Sequence, residues 1–468
     1  MRHLILIASL SLSLATQAQE QSADYTDRWQ LYAHSLLRDS IPFRTVRGAD
    51  QVQPFAEFLA AQFLQHGFAA DDVRVIPMAS EDVASASLVV RYPGTSDRRP
   101  ILFAGHLDVV PAGDEDWGRD PFQLTEEDGY FYGRGVIDDK FATTVLTTTF
   151  IRLRQSGFVP ERDLIIAFTG DEETMQSDIK TLVREHRDLI DAELALIPDT
   201  APGLLDNAGK PAALFLQYAE KNYLTFEITA RAPGGHSSQP MPDNSIYKLA
   251  AAIAAIEDTA FPAQADAENL AFFRAMGSII DGETGAAMRR FGDDPTDKDA
   301  VDRLSVIPGI SANLGTTCIP TMLRGGSAEN ALPEAATVTV NCRVYPGVSS
   351  DAVQARLEHA VDNPDIEFVR TWNPAPAVPS PLRRDVTEMV RSVVRQSTPE
   401  VPLVPLIGAG GTDGKFLRIA GIDSYGVMGF YIRRGEYAAH ASHERLSVSG
   451  FFESLEFWDE LVRAASAL

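Results

Sequence analysis

Residues 101–111 read Ile-Leu-Phe-Ala-Gly-His-Leu-Asp-Val-Val-Pro. The apolar run Ile101-Leu102-Phe103-Ala104 predicts a strand buried on both faces, and Gly105-His106-Leu107-Asp108 follows where it ends. The pattern recurs. Residues 164–168 (Leu-Ile-Ile-Ala-Phe) run into Thr169-Gly170-Asp171-Glu172-Glu173, and Leu194-Ala195-Leu196-Ile197 runs into Pro198-Asp199-Thr200. Between the first two, Lys140 to Gln155 reads as a helix stopped near Gly157. Buried strands alternating with helices predict an α/β sheet with parallel segments. In such sheets the crevice at the carboxyl ends of the strands takes the ligand, so the three clusters are expected to converge.

Outward from this centre, residues 25–70 carry helical periodicity, and Leu88-Val89-Val90 is another candidate buried strand. Near Asn222 the pattern changes. Residues 224–230 (Leu-Thr-Phe-Glu-Ile-Thr-Ala) alternate with period two, as a half-exposed strand does. An Ala-rich helix over 245–258 and alternating strands over 310–317 and 336–344 complete a smaller α+β unit, with an acidic elaboration at 281–302. After Trp372 the α/β pattern resumes, with a helix over 385–396 and a strand over 424–430. The expected organisation is a leader over 1–18, a main domain over 19–221 and 372–468, and an inserted domain over 222–371.

Composition sets the outer limits. A chain of 468 residues exceeds one compact core, and 45% hydrophobic content is that of a folded protein. A net charge of −24 repels phosphate backbones, so no nucleic-acid partner is expected. Met1-Arg2-His3, an apolar stretch over 4–14 and Thr16-Gln17-Ala18 read as a secretory signal, too short to span a bilayer. The expected mature protein is exported, periplasmic in a two-membrane bacterium, with no membrane association. Export permits a bridge between Cys318 and Cys342, the only two cysteines; the preferred reading is two buried thiols on neighbouring strands.

Acid pairs such as Glu172-Glu173 and Asp138-Asp139 arise easily in a chain with 65 Asp and Glu; an acid or His cluster after each of three buried strands in turn does not, while the Asp138 run opens a helix. Carboxylates gathered in one crevice repel, and one or two divalent ions remove that penalty. Imidazole and carboxylate ligands suit zinc, with manganese or cobalt as substitutes. Other hydrolase signatures are missing: the sequence has no His-Glu-x-x-His and no Gly-x-Ser-x-Gly. The stretch from Gly408 to Lys415 imitates a phosphate loop, but Phe416 stands where Ser or Thr would bind magnesium.

Together, His106-Leu107-Asp108, the run Gly133-Arg134-Gly135-Val136-Ile137-Asp138-Asp139-Lys140 and Asp171-Glu172-Glu173 resemble the co-catalytic zinc metallopeptidase family of glutamate carboxypeptidase, succinyl-diaminopimelate desuccinylase, aminoacylase and carnosinase. The likeness covers nearly the whole mature chain. It implies a zinc-exopeptidase-like catalytic domain, with a mixed, largely parallel sheet flanked by helices, and an inserted α+β lid used for homodimerisation. It implies two zinc ions per subunit (cobalt or manganese in their place), with His106, Asp138 and Asp199 at one and Asp138, Glu173 and His440 at the other. Asp108 would orient His106, and Glu172 would be the general base. His443 is a decoy beside His440, which the family pattern places after an Ala and four residues before Glu444. On the lid, His236 would donate to the oxyanion of a neighbouring active site, while Asn330 and Arg343 would hold substrate. Gly411 and Thr412 would bring backbone close to the substrate terminus.

Two departures stand out. Phe141 replaces the usual Gly after Lys140, and the first-site acid is Asp199 rather than Glu. Asp at that place leans toward dipeptidases in the family, so small peptides rank as first substrates and N-acyl amino acids as second. A binding module or scaffold without catalysis would lack a ligand or Glu172, and neither is missing.

Overall fold

The computed structural model describes residues 27–80, 83–113, 117–373, 375–376 and 378–468; the leader expected over 1–18 lies outside them. The chain lays down β1 (Val73–Ser80), β2 (Val83–Tyr92), β3 (Ile101–His106), β4 (Leu164–Thr169), β5 (Leu194–Ile197) and β6 (Pro211–Glu220). It then crosses to β7 (Asn222–Arg231), β8 (Thr317–Gly325), β9 (Ala335–Val344) and β10 (Ile366–Trp372), and returns with β11 (Leu403–Gly408) and β12 (Asp423–Gly426).

The larger sheet runs β1-β2-β4-β3-β5-β12-β6, with β11 on the far side of β6. It is mixed: β3 is parallel to β4 and β5, β12 to β5 and β11 to β6, whereas β1, β2 and β4 pair antiparallel. Every residue of β3, β4 and β5 is buried, because helices cover both faces. The helix Lys140–Gln155 is buried along most of its length and packs against Val448–Ala467, whose Trp458 meets Phe103 of β3. Phe141 fills that layer edge-on to Phe430 and Phe451.

The second sheet runs β8-β9-β7-β10. Along β7, Leu224, Phe226, Ile228 and Ala230 point into a core shared with the helices Ser245–Glu257 and Ser350–Val361, while the residues between them face outward. Only Lys221 separates β6 from β7, so the chain passes from one sheet to the other almost without a loop.

Three expectations change. The stretch 310–317 contains the helix Ser311–Leu314, with β8 starting at Thr317. Its apolar Ile310 and Leu314 stand four apart, a helical spacing, and both are buried. The acidic stretch 281–302 belongs to a block of helices, Ala267–Ile279, Gly282–Asp293 and Lys298–Ser305, that packs on β6 and β11 of the larger sheet through Phe215, Val404 and Leu406. Cys318 and Cys342 lie on neighbouring strands as expected, but the preference for free thiols is overturned: they are direct partners across β8 and β9 and form a disulfide.

Candidate metal centre and active site

His106 ends β3, and its ring is fixed on both sides. Nδ1 lies 3.0 Å from the Asp108 carbonyl oxygen and Nε2 lies 3.0 Å from Asp138 Oδ1. The backbone N–H of His106 donates to Asp139 Oδ2 at 3.0 Å. That approach needs Gly105, since a Cβ there would sit 2.8 Å from the same oxygen. Asp199, two residues past β5, places Oδ2 3.9 Å from His106 Nε2. On the other side of Asp138, His440 Nε2 is 3.1 Å from Asp138 Oδ2 and 2.9 Å from Glu173 Oε1. His106, Asp138 and Glu173 offer ligand atoms within 4.8 Å of one another, a group able to hold a metal ion.

Asp108 touches the His106 ring mainly through its carbonyl. Its carboxylate accepts the backbone N–H groups of Glu172 (3.0 Å) and Glu173 (3.1 Å), so it braces the turn that carries both acids. Glu172 Oε1 is held by the Gln176 amide at 2.7 Å. His443 is exposed and outside the cluster.

Electrostatics match the crowding. Burial, then the charges of Asp199, Asp413 and Glu173, hold Glu172 well above the usual carboxylate range. Burial and Asp138 push Asp199 up to about 8. Bonds to Asp138 and Glu173 push His440 up to about 10. Burial works against a charged His106, yet its bonds to Asp108 and Asp138 raise it well above its ordinary value. Asp138, between two imidazoles, is lowered despite its burial. The gathered acids thus favour positive charge at this place. The donor set, two imidazoles and three carboxylates, fits divalent cations in that role.

The cluster forms one end of a cavity of about 520 Å³, and Gly411 and Thr412 line it. The Thr412 N–H and hydroxyl both donate to buried Glu220, at 2.9 and 2.8 Å, which anchors this loop at the cavity wall. Leu204, Phe215, Leu406, Ile407 and Ile432 make much of the remaining wall apolar, while Gln217, Asn313, Arg433 and Arg434 add polar and positive groups. His236, Asn330 and Arg343 do not line the cavity. His236 is exposed and bonded to Ser238, Asn330 is exposed, and Arg343 stacks over Tyr223. The structure therefore assembles the residues expected at the metals and leaves those three on the smaller unit.

Several contributors have no signature in the sequence. Asp413 accepts a hydrogen bond from Thr169 beneath Glu172. Glu444, fully buried, accepts from Arg134 at 2.5 Å and from the N–H groups of Gly135 and Ile137 at 3.0 and 3.1 Å. Arg134 also donates to the His440 carbonyl at 3.4 Å, so this pair ties the Asp138 loop to the His440 loop. In the sequence Glu444 only marks the spacing after His440; its position opposite a buried Arg is visible in the fold alone.

Across the chain, residues 102–464 match peptidase family M20/M25/M40. The protein is a metallohydrolase acting on amide bonds and belongs to that family. Among its relatives, the N-fatty-acyl-amino acid synthase/hydrolase of Homo sapiens is 28% identical over 78% of this chain and 74% of its own length. Aminoacylase-1 of Sus scrofa is 25% identical over 93% and 95%. Human carnosine dipeptidase 1 shares the fold at a TM-score of 0.67, with 14% identity over 94% of this chain and 98% of that one.

Proposed function

We propose that the chain is an exported exopeptidase or dipeptidase that cleaves a peptide amide using two zinc ions and Glu172 as general base. The observation that carries this reading is the half-buried Glu172 carboxylate lining the same cavity as His106's partners Asp138 and Asp199 and the Glu173–His440 pair. In this reading His106, Asp138 and Asp199 hold one ion, and Asp138, Glu173 and His440 the other. Bound there, the cations supply Lewis acidity that acidifies a water and polarises the scissile carbonyl. Glu172 takes the water's proton and passes it to the leaving amine, and its raised pKa suits both halves of that task. Asp108 keeps the Glu172 backbone in place. Gly411 offers backbone to the substrate terminus, with Thr412, whose N–H is held by Glu220, setting its position. His236, Asn330 and Arg343 reach the substrate by closure of the smaller unit or from a second copy in a homodimer. Exposed Ile319, Met322 and Leu323 on the edge strand β8 support such pairing. The Cys318–Cys342 bond supports an oxidising, exported location.

The apolar cavity wall favours a second reading, an N-acyl-amino-acid amidohydrolase whose acyl group packs against Phe215 and Leu406. The names of the human and pig relatives point the same way. One assay decides: zinc-loaded protein on dipeptides and on N-acyl amino acids, with and without a chelator. Chelator-sensitive cleavage of dipeptides supports the first reading, a preference for acyl substrates the second, and no cleavage of either overturns both.

A further inference from the structure

Tyr437 lines the cavity together with Asp138, Asp199 and His440, and its side chain is half-exposed. Two hydrogen-bonded turns flank it. Ahead of it, the Glu436 N–H donates to the Arg433 carbonyl at 3.1 Å, and the Arg433 N–H donates to Glu436 Oε2 at 2.9 Å. Behind it, the Ala441 N–H donates to the Ala438 carbonyl at 3.1 Å, and Arg134 holds the His440 carbonyl. These turns set where the ring leaves the chain, three residues before a proposed metal ligand. The Tyr437 hydroxyl nevertheless makes no hydrogen bond among the described residues.

The other neutral side-chain donors on the cavity wall are already engaged. The Thr200 hydroxyl donates to Gln217 Oε1 at 2.5 Å, and the Thr412 hydroxyl donates to Glu220 at 2.8 Å. The Gln217 amide donates to Glu220 at 3.4 Å, and the Asn313 amide donates to the Gly309 carbonyl at 3.1 Å. Tyr437 is left with a donor to offer, and it offers it beside the acids of the metal cluster. Desolvation of its hydroxyl, then the charges of Asp138 and Asp199, hold the phenol well above its ordinary value, so it stays protonated. A hydrogen bond from a neutral hydroxyl to a carbonyl is modest, and it strengthens when the acceptor oxygen becomes an anion. Only an interaction that is stronger in the transition state than in the ground state speeds the chemical step.

We propose that Tyr437 is a catalytic residue whose hydroxyl donates to the carbonyl oxygen of the scissile amide as that oxygen becomes an oxyanion. The inference rests on the amide-hydrolase reading above. As the water oxygen bonds to the carbonyl carbon, the π pair of the C=O bond moves onto its oxygen and the hydrogen bond from the phenol tightens. When the C–N bond breaks, the pair returns to the C=O bond, and Glu172 delivers the proton to the leaving amine. The phenol keeps its own proton throughout. Tyr437 supplies from the His440 loop a donor that the exposed His236 would have to bring from the smaller unit.

The test compares zinc-loaded wild type and Tyr437→Phe on alanylphenylalanine and N-acetylphenylalanine, and on the phosphinate analogues of both, in which tetrahedral phosphorus replaces the scissile carbonyl carbon. In Tyr437→Phe, kcat falls about 10²–10³-fold, KM stays near wild type, and elemental analysis finds the metal content unchanged. Affinity for the phosphinate, whose anionic oxygen imitates the oxyanion, falls as well, while affinity for the product phenylalanine does not. An unchanged kcat overturns the proposal, as does a loss carried by KM alone or a matching loss of metal. Equal weakening of phosphinate and phenylalanine, as a merely structural role would give, also overturns it. If wild type cleaves neither substrate, the hydrolase reading falls instead. The phosphinates then judge Tyr437 by calorimetry: tighter binding to wild type than to Tyr437→Phe keeps it as a donor to a tetrahedral anion, and equal affinities remove it. Should Tyr437→Phe fail to fold, Tyr437→Leu replaces it in every comparison.

Discussion

His440 Nε2 lies 2.9 Å from Glu173 Oε1, although 267 residues separate them in the chain. Asp138 Oδ2 stands 3.1 Å from the same nitrogen, so a single ring joins an acid from the end of β4 to one from the start of the Lys140–Gln155 helix. Replacing His440 with Ala leaves both acids facing each other. On the proposed two-ion reading, the expected outcome is loss of about one of the two metal equivalents, with affinity at that position reduced by more than the roughly 10–100-fold seen when a ligand's supporting partner is removed. Elemental analysis after dialysis reads this directly; retention of full metal content contradicts it.

Glu172 faces the same cavity, but its one hydrogen-bond partner there is Gln176. Glu172→Gln therefore keeps the volume and removes only the proton acceptor. Turnover should fall by about 10²–10⁴-fold with metal content unchanged. A parallel fall in bound metal would show that the residue is a ligand.

The Arg134–Glu444 pair is almost wholly buried. Glu444→Ala strands the guanidinium and frees the N–H groups of Gly135 and Ile137, which sit just ahead of Asp138. The expected cost is about 3–5 kcal/mol of stability, measurable in denaturant melts. The double change Arg134→Met with Glu444→Leu should recover part of that loss while activity stays low, because the Asp138 loop loses its tether.

Asp178 is 1% exposed. Oδ2 accepts from Ser85 and Gly170, and Oδ1 has no partner among the described residues. Burial, then the charge of Asp171, raise its carboxyl from 3.8 to about 7. The folded chain thus holds a proton that the unfolded chain releases. The stability from this group is fully present below about pH 3.8 and is lost as pH rises through about 7. Asp178→Asn has no charge to bury, so its Tm relative to wild type should climb between pH 4 and pH 8. A difference that is flat across that range contradicts the assignment.

The metal-binding cluster was legible in the sequence for a physical reason. Strands buried on both faces leave unbroken apolar runs, and each run ends next to the acid or imidazole that it positions, as with Ile101 to His106. The cavity was not legible, because Phe215 on β6 reads alike whether it meets a core or a hollow. Asp413 and Glu444 carry no local pattern, and their partners lie across the fold. The helix Ser311–Leu314 reads as a strand in the sequence because one turn offers only the Ile310–Leu314 pair, and a spacing of four also fits alternation. The disulfide turned on the register of β8 against β9, which the alternation of either strand leaves open.

β12 pairs on one side with β5 and on the other with β6, strands that are neighbours in the chain and were laid down long before it. While the polypeptide is being made, both therefore wait with an open row of backbone donors and acceptors, and everything from β7 to β11 must emerge from the ribosome before the gap closes. A product terminated ahead of Gly426 exposes those edges, a template for aggregation. In this architecture, finishing synthesis is itself the step that makes the sheet safe.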